Sequence, residues 1–284
     1  MTEEFRKFSC YFFLIILVLA ACLAAGCNDD ETVNKKAEPI QSKPASADTH
    51  QKGEQIVAAY LKAIDIPYSK GRIRMTVNTP DEGTKIYEAE VIRRQTSDQT
   101  ITLTHVVKPE NESDLATLAI EKKGQKTENV SYAQSTSKFV EFDSSKQTFG
   151  GLTATELLGG ELDRYTFNYI GEKNIDGVKS YEVESTLKPG EQSPLARVTT
   201  FFREDNSLPI EIHIFNSKGE ELRTFHITDY KTIDGHTVTW KTTIENHVNN
   251  AKITLEALNL SFPAKMDEAL FTRDNLKKLV VKRA

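Results

Sequence analysis

The segment Arg197–Leu260 reads RVTTFFREDNSLPIEIHIFNSKGEELRTFHITDYKTIDGHTVTWKTTIENHVNNAKITLEALNL. β-Branched and aromatic residues alternate in it with polar residues, which is the two-residue period of a strand with one buried face. Turn-forming clusters interrupt the alternation at regular intervals, and Asp234-Gly235 is a strong hairpin signal. The segment therefore predicts a meander of antiparallel strands at 197–203, 208–215, 222–230, 237–244 and 252–260.

These predicted strands place large apolar side chains on one surface of the sheet. A packed core and the lining of a cavity both require this alternation, so the pattern alone leaves the two interpretations open. The residues predicted to form the surface are Ile210, Ile212, Ile214, Phe225, Ile227, Val238, Trp240, Ile244, Ile253 and Leu255.

The chain before Arg197 continues the antiparallel pattern, because connections this short cannot make the crossover that parallel strands require. Residues 53–65 have apolar side chains at helical spacing and predict an amphipathic helix that ends before Pro67 and packs on the sheet. Thr153-Ala-Thr-Glu156 is a capping-box pattern, which predicts a second, short helix that stops at Gly159-Gly160. Further strands are predicted at 72–78, 85–95, 99–108, 116–122, 138–142, 165–173 and 179–188.

Residues 1–27 have the layout of an export signal, with Arg6 and Lys7 before an apolar run and small residues before a cysteine. Leu23-Ala-Ala-Gly-Cys27 resembles the bacterial lipobox, in which the cysteine receives a diacylglycerol thioether and becomes the mature N-terminus. Cys27 is the predicted lipidation site, and Cys22, after Leu19-Ala-Ala, is the alternative. An ordinary secretory signal with incidental cysteines is the other interpretation.

Residues 28–52 are rich in charged and small residues and nearly lack large apolar ones, which predicts a flexible tether. The chain then divides into a signal segment (1–27), a tether (28–52) and a single folded domain (53–284). All three cysteines lie in the first segment, so the predicted domain has no thiol for a disulfide, a metal or a nucleophile.

Composition and motifs give no sign of catalysis or nucleic-acid binding. The formal charge of the 284 residues is −5, and lysine and arginine are scattered rather than clustered. Metalloprotease, nucleophile-elbow and P-loop motifs are absent from the sequence. His213 and His226 fall on neighbouring predicted strands, where a solvent-facing pair is the simpler interpretation. The sequence predicts no enzyme activity, no metal, no cofactor and no nucleic-acid partner.

The order of several motifs resembles the LolA-like outer-membrane lipoprotein-sorting family. A strand ends before "LP" at 208–209, a "GEEL" turn follows at 219–222, then "DY…IDG", a strand with Trp240, and a closing "LFT…NL". Upstream, "GGLTATELLGG" and "YIGEKNIDGVKSYEVESTLKPG" stand where that family has a short helix and another strand pair. The resemblance covers most of the chain after about residue 53. It implies an α+β fold, in which a curled antiparallel sheet forms a half-open β-barrel with short helices covering its concave face.

The family holds acyl chains inside its half-barrel, so the resemblance favours a cavity over a packed core. It implies a membrane-anchored envelope lipoprotein of the LolA and LolB type, facing the periplasm, with diacylglycerol and acyl groups such as palmitate on its N-terminal cysteine. The expected partners are the acyl chains of a lipid or lipoprotein, a membrane, and an envelope transport partner, and the expected state is a monomer. An envelope stress sensor of the RseB type and a structural envelope module with a filled core are the alternatives.

Overall fold

The computed structural model of the chain describes residues 46–110, 115–122, 125, 127–142, 148–149, 152–153, 162–191 and 195–281. The predicted signal segment, both candidate lipidation cysteines and residues 28–45 of the predicted tether lie outside the described residues. Among the helices that are described, none combines the length and the apolar character needed to cross a membrane.

The described chain is dominated by β-structure. Two α-helices stand near its ends, α1 (Ala47–Ala63) and α2 (Arg273–Val281), with short 3-10 helices at Leu162–Arg164 and Glu268–Phe271. The strands are β1 (Tyr68–Thr79), β2 (Gly83–Gln95), β3 (Gln99–Lys108), β4 (Leu115–Lys122), β5 (Glu128–Ala133), β6 (Lys138–Glu141), β7 (Thr148–Phe149), β8 (Leu152–Thr153), β9 (Tyr165–Ile175), β10 (Val178–Leu187), β11 (Arg197–Arg203), β12 (Pro209–Phe215), β13 (Glu221–Ile233), β14 (His236–Asn246) and β15 (Ala251–Ser261).

Thirteen strands form one antiparallel sheet in the order β6-β5-β4-β3-β2-β1-β15-β14-β13-β12-β11-β10-β9, and β7 pairs with β8 in a separate hairpin. Every neighbouring pair in the large sheet is also consecutive in sequence, except β1 and β15. The prediction of an antiparallel sheet linked by short connections is thus confirmed. β6 and β9 stand at the two ends of the strand order.

The structure departs from the predicted elements at several places, and it contains α2 and β7, which were not predicted. β5 was not predicted, because ENVSYA contains few large apolar residues. Thr153 belongs to β8 rather than to the start of a helix, and the rest of that predicted helix lies outside the described residues. Helix α1 begins at Ala47 and not at Gly53, so the last residues assigned to the tether are helical.

The two helices pack on opposite faces of the sheet. Apolar side chains of α1 contact Val183 of β10 and Phe202 of β11. Those of α2 contact Leu103 and Leu118. The strand register places these two leucines on the face opposite to the one that carries α1. Each helix has an apolar stripe, but the stripes cover different faces at different ends of the sheet. Helices on a single face, as the resemblance implied, therefore do not describe α2, which was not predicted from the sequence.

Candidate functional site: an apolar face of the sheet

Strand register brings the predicted apolar residues into lateral rows. Directly paired residues of neighbouring strands lie on the same face of a sheet. One row runs through consecutive pairs from β11 to β1, in the order Thr200, Ile212, Phe225, Ile244, Ile253 and Val77. The next row contains Ile227, Thr242, Leu255, Met75 and Tyr87. The two rows form a continuous surface, which we call the apolar face.

The side chains of the apolar face pack into one buried cluster. Ile244 and Ile253 have no exposed surface, and Phe225 and Leu255 are 2% exposed. Leu152 of the β7–β8 hairpin contacts the cluster and is fully buried. The buried members of the cluster are Met75, Val77, Leu152, Ile212, Ile214, Phe225, Ile227, Ile244, Ile253 and Leu255.

Seven of the ten residues predicted to form the surface belong to this cluster, and Ile210, Val238 and Trp240 do not. Val238 is buried with Ile66 in a separate cluster, and Ile210 is buried outside the clusters of described residues. The Trp240 indole is partly exposed, with the Lys231 ammonium 3.7 Å from its ring centre. β-Bulges between Ile227 and Tyr230 shift the pairing of β13 with β14, so the alternation read from sequence does not carry through to Trp240.

Three residues of the cluster were not predicted as part of the surface. Met75 and Val77 lie on a predicted strand and alternate correctly, but sequence gives no sign that this first strand pairs with the last one. Leu152 stands in a glycine-rich segment whose pattern favoured a helix. The alternation in β1 could therefore have identified Met75 and Val77 as buried. The position of β1 beside the last strand could not be read from the sequence.

Helix α1 lies on the same face, at the β9 end of the sheet. Val183 pairs with both Tyr169 and Thr200, which places α1's contacts in the row that also contains Ile212 and Phe225. The Tyr60 and Phe202 rings meet with their centres 5.4 Å apart. The helix therefore bounds the apolar face on one side.

Tyr230 stands between the α1 contacts and the apolar face and packs against both clusters. Its hydroxyl donates a hydrogen bond to the Pro209 carbonyl oxygen at 2.6 Å. Burial raises the pKa of Tyr230 to about 12, although the nearby Arg203 guanidinium acts in the other direction. The phenol therefore stays neutral and acts here as a hydrogen-bond donor.

A buried polar side chain, Arg223, lies at the end of the apolar face that is farther from Tyr230 along β13. Arg223 pairs with Ile214 and with Asn246, and Arg223 and Asn246 are 7% and 2% exposed. Arg223 Nη1 donates to the Leu222 carbonyl oxygen at 2.7 Å. The apolar rows are thus limited along the strands by a buried cation.

The other face of β12 and β13 carries a network of histidines and glutamates. Glu211 bonds His213 Nε2 at 2.6 Å and His226 Nδ1 at 3.0 Å, and Glu221 bonds His213 Nδ1 at 2.6 Å. Burial favours a higher pKa for Glu221, but hydrogen bonds from Thr224 and His213 outweigh it and lower the pKa. The Glu211 carboxylate thus bridges His213 and His226. In the part of the chain that the structure describes, no group of three or more His, Cys, Asp or Glu side chains has the arrangement of a metal site.

Three solved bacterial structures have a similar fold. A DUF1329 family protein from Desulfovibrio piger has a TM-score of 0.75 at 16% sequence identity, over 80% of this chain and 99% of that chain. A putative outer membrane lipoprotein-sorting protein domain from Vibrio parahaemolyticus has a TM-score of 0.74 at 16% identity, over 80% and 99% of the two chains. A LolA superfamily protein from Nitrosomonas europaea has a TM-score of 0.63 at 14% identity, over 78% and 98%.

These likenesses show the fold, which is shared with a LolA superfamily protein as the sequence resemblance implied. No curated protein matches the sequence. Residues 98–278 match the model of a family described as "Uncharacterized protein", and because the match spans more than half of the chain, the chain belongs to that family.

Proposed function

We propose that this chain is a cell-envelope lipoprotein that holds the acyl chains of a lipid or of another lipoprotein on its apolar face. The observation that carries the proposal is the row of apolar side chains that crosses β12 to β15 and β1 without interruption. The fold, shared with a lipoprotein-sorting protein domain, supports the same function. In this proposal the sheet curls into a half-open barrel, with the apolar face on its concave side and α1 at one margin.

No bond is made or broken in such a carrier. Burying a CH₂ group is worth about 0.8 kcal/mol, so an acyl chain of about fourteen carbons supplies on the order of 10 kcal/mol before ordering costs. Release then requires a transfer partner or a movement of the segments that cover the face. The proposed membrane anchor is a lipid on Cys27, which makes the arrangement similar to a LolB-type acceptor at a membrane.

The second candidate is an envelope module whose apolar face is a filled core. The full burial of Ile244, Ile253 and Leu152 favours it, because side chains that line an open pocket keep some accessible surface. The two candidates differ in what occupies the space over the row, and therefore in how they respond to a charge placed there.

The test compares Ile212→Glu, on the apolar face, with Thr243→Glu, on the opposite face of β14. A carboxylate in an open pocket can be hydrated, so in a carrier the Ile212→Glu variant should still unfold cooperatively. It should also lose the lipid that native mass spectrometry detects on the full chain purified from membranes. Thr243→Glu should keep both properties.

A filled core predicts a different pair of results. The wild-type chain would carry no lipid, and Ile212→Glu would abolish the cooperative transition because an unpaired carboxylate would be buried. This outcome would reject the carrier function and leave the envelope module.

A further inference from the structure

Six polar side chains on the face opposite the apolar rows form one connected chain of hydrogen bonds and ion pairs. They belong to β12, to β13 and to the turn that follows β14. Their contacts cross from β12 to β13 and from β13 to that turn. We call the following residues the outer-face network: Glu211, His213, Glu221, Thr224, His226 and His247.

Two of the three histidines need only one ring N–H for their contacts. The Thr224 hydroxyl donates to Glu221 Oε1 at 2.6 Å, so it can only accept in its contact of 2.8 Å with His247 Nε2. His247 therefore donates from Nε2. His226 Nδ1 lies 3.0 Å from Glu211 Oε2 and can donate to it. A neutral imidazole carries one N–H, which is sufficient for each of these rings.

His213 differs from the other two rings because both of its nitrogens face carboxylates. Nε2 lies 2.6 Å from Glu211 Oε1, and Nδ1 lies 2.6 Å from Glu221 Oε1. An ionised carboxylate only accepts hydrogen bonds, so each contact requires an N–H, and a ring with two N–H groups is an imidazolium. A neutral His213 would instead place a nitrogen lone pair against a carboxylate oxygen.

The two carboxylates depend on histidines for their positive partners. Among the described residues, Glu211 and Glu221 form ion pairs only with histidines. Burial acts to raise the pKa of Glu221, but hydrogen bonds from Thr224 and His213 outweigh it and lower that pKa, which keeps the carboxylate ionised. The other charged groups around the network are engaged elsewhere: Lys173 with Glu182, Arg197 with Glu184, Lys252 with Glu245, and Glu220 with Asn216.

We infer that the outer-face network is a proton-dependent brace, in which His213 as an imidazolium ties β12 to β13 and loss of its second proton releases the tie. Ile212 and Ile214 flank His213 on β12 and pack with Phe225 on the other face. The brace thus lies directly behind part of the apolar face. It would act in a carrier and in a filled core alike, so it does not depend on the function proposed above.

The sign of the pH dependence follows from the form that the fold favours. Because the folded state favours the protonated ring, the contribution of His213 is present at low pH and is lost as the ring deprotonates. At still lower pH the tie is also lost, because a protonated Glu221 is no longer an anionic acceptor. The brace therefore operates in a window that is bounded by two protonation steps.

The first test uses NMR on the full chain labelled with ¹⁵N and compares pH 6 with pH 9. At pH 6 both ring nitrogens of His213 should give the signals of protonated nitrogens. Once the ring deprotonates, the amide protons that join β12 to β13 should exchange about ten-fold faster, after correction for the intrinsic effect of pH. Those that join β1 to β2 should not change. A ring with one bare nitrogen at pH 6, or unchanged exchange between β12 and β13, would overturn the inference.

The second test compares the melting temperatures of His213→Gln and His236→Gln with that of the wild-type chain. His213→Gln should lower the melting temperature by about 3–6 °C at pH 6 and by less than about half of that at pH 9. His236 is the matched control, since its ring packs edge-on against Phe262. Its substitution should have the same effect at both values of pH.

An effect of His213→Gln that is equal at pH 6 and pH 9 would also overturn the inference. The exchange measurement needs no variant, so it decides the matter even if His213→Gln does not fold.

Discussion

Helix α1 comes very close to the sheet at Gly53. A Cβ atom there would lie 2.6 Å from the Phe167 carbonyl oxygen and 2.9 Å from the Tyr169 nitrogen. Both are backbone atoms of β9 and cannot rotate away, so Gly53→Ala must move the helix. We expect a loss of about 1–3 kcal/mol in the free energy of unfolding, measured with denaturant.

Gly171→Ala is the control for this prediction. Gly171 also lies on β9, and nothing stands within 4 Å of the position its Cβ would take. Its effect should stay within about 0.5 kcal/mol. Equal losses in the two variants would show that the close approach of α1 is not the cause.

Glu88 is a buried carboxylate surrounded by three cations on the face opposite the apolar rows. Its oxygens lie 2.6 Å from Arg72 Nη2, 2.9 Å from Arg74 Nη2 and 3.4 Å from Lys108 Nζ, and the residue is 3% exposed. Burial alone would raise the pKa of Glu88, but hydrogen bonding from Arg74 and the charges of Arg72 and Lys108 outweigh it and lower the pKa. The folded state therefore favours the ionised carboxylate.

This shift predicts a defined pH dependence. A carboxyl whose pKa is lowered on folding adds stability above its unfolded pKa of about 4.5, and this contribution disappears as the pH falls through the folded value. Glu88→Gln should therefore cost about 1–3 kcal/mol in the free energy of unfolding at pH 7 and less below about pH 4. The exposed Glu82→Gln serves as control, and a cost for Glu88→Gln that does not change with pH would contradict the assignment.

At the scale of elements, helix α1 makes a prediction about where the domain begins. Ser46 Oγ accepts the N-cap hydrogen bond from Thr49 N at 3.3 Å, and His50 Nδ1 contacts the Phe167 carbonyl oxygen at 3.0 Å. The Lys52 ammonium lies 3.7 Å from the Tyr169 ring centre. A chain that starts at Gly53 loses all of these contacts.

Chains that start at Asn28 and at Ser46 should therefore have the same melting temperature. The chain that starts at Gly53 should melt several degrees lower, because loss of an N-cap alone costs about 1 kcal/mol. Equal melting temperatures for all three would show that residues 46–52 contribute nothing to the fold.

Local signals predicted most of the strands and few of their partners. The predicted bounds of the strand at 99–108 agree with β3, because its alternation is bounded by turn residues on both sides. β5 has no such run of large apolar residues, and its place comes from pairing with β4 and β6. The first turn of α1 contains only Ala47 as an apolar residue, so its helical state depends on the cap at Ser46, which composition does not reveal.

Because local alternation does not reveal strand pairing or register, it predicted only some residues of the candidate site. Ile212 of β12 and Ile253 of β15 lie on one surface, because no register shift falls within Glu211–Ile214 or within Ala251–Ala257 and the alternation is kept there. Trp240 is itself skipped in the pairing of β14 with β13, between Lys241 and Thr239, so simple alternation does not give its position.

At the scale of the whole molecule, the N-terminal anchor is a prediction that stands apart from the fold. Cys27→Ser should abolish labelling with a fatty-acid analogue in cells and release the chain from membranes, because the thiol is the acceptor of the lipid. Cys22→Ser should leave both unchanged. Labelling that survives in Cys27→Ser and disappears in Cys22→Ser would move the anchor to the alternative site.

The pairing of β1 with β15 also determines how the sheet can assemble. Each half of the sheet grows by hairpins between consecutive strands, which close short loops, whereas Arg72 and Asn259 are 187 residues apart when they meet. Closing a long loop costs more entropy, and long-range pairing slows folding. We expect the halves to form as two cooperative units and the β1–β15 hydrogen bonds to form last. In pulsed hydrogen exchange during refolding, the amides that join these two strands should gain protection after those that join β2 to β3 and β12 to β13.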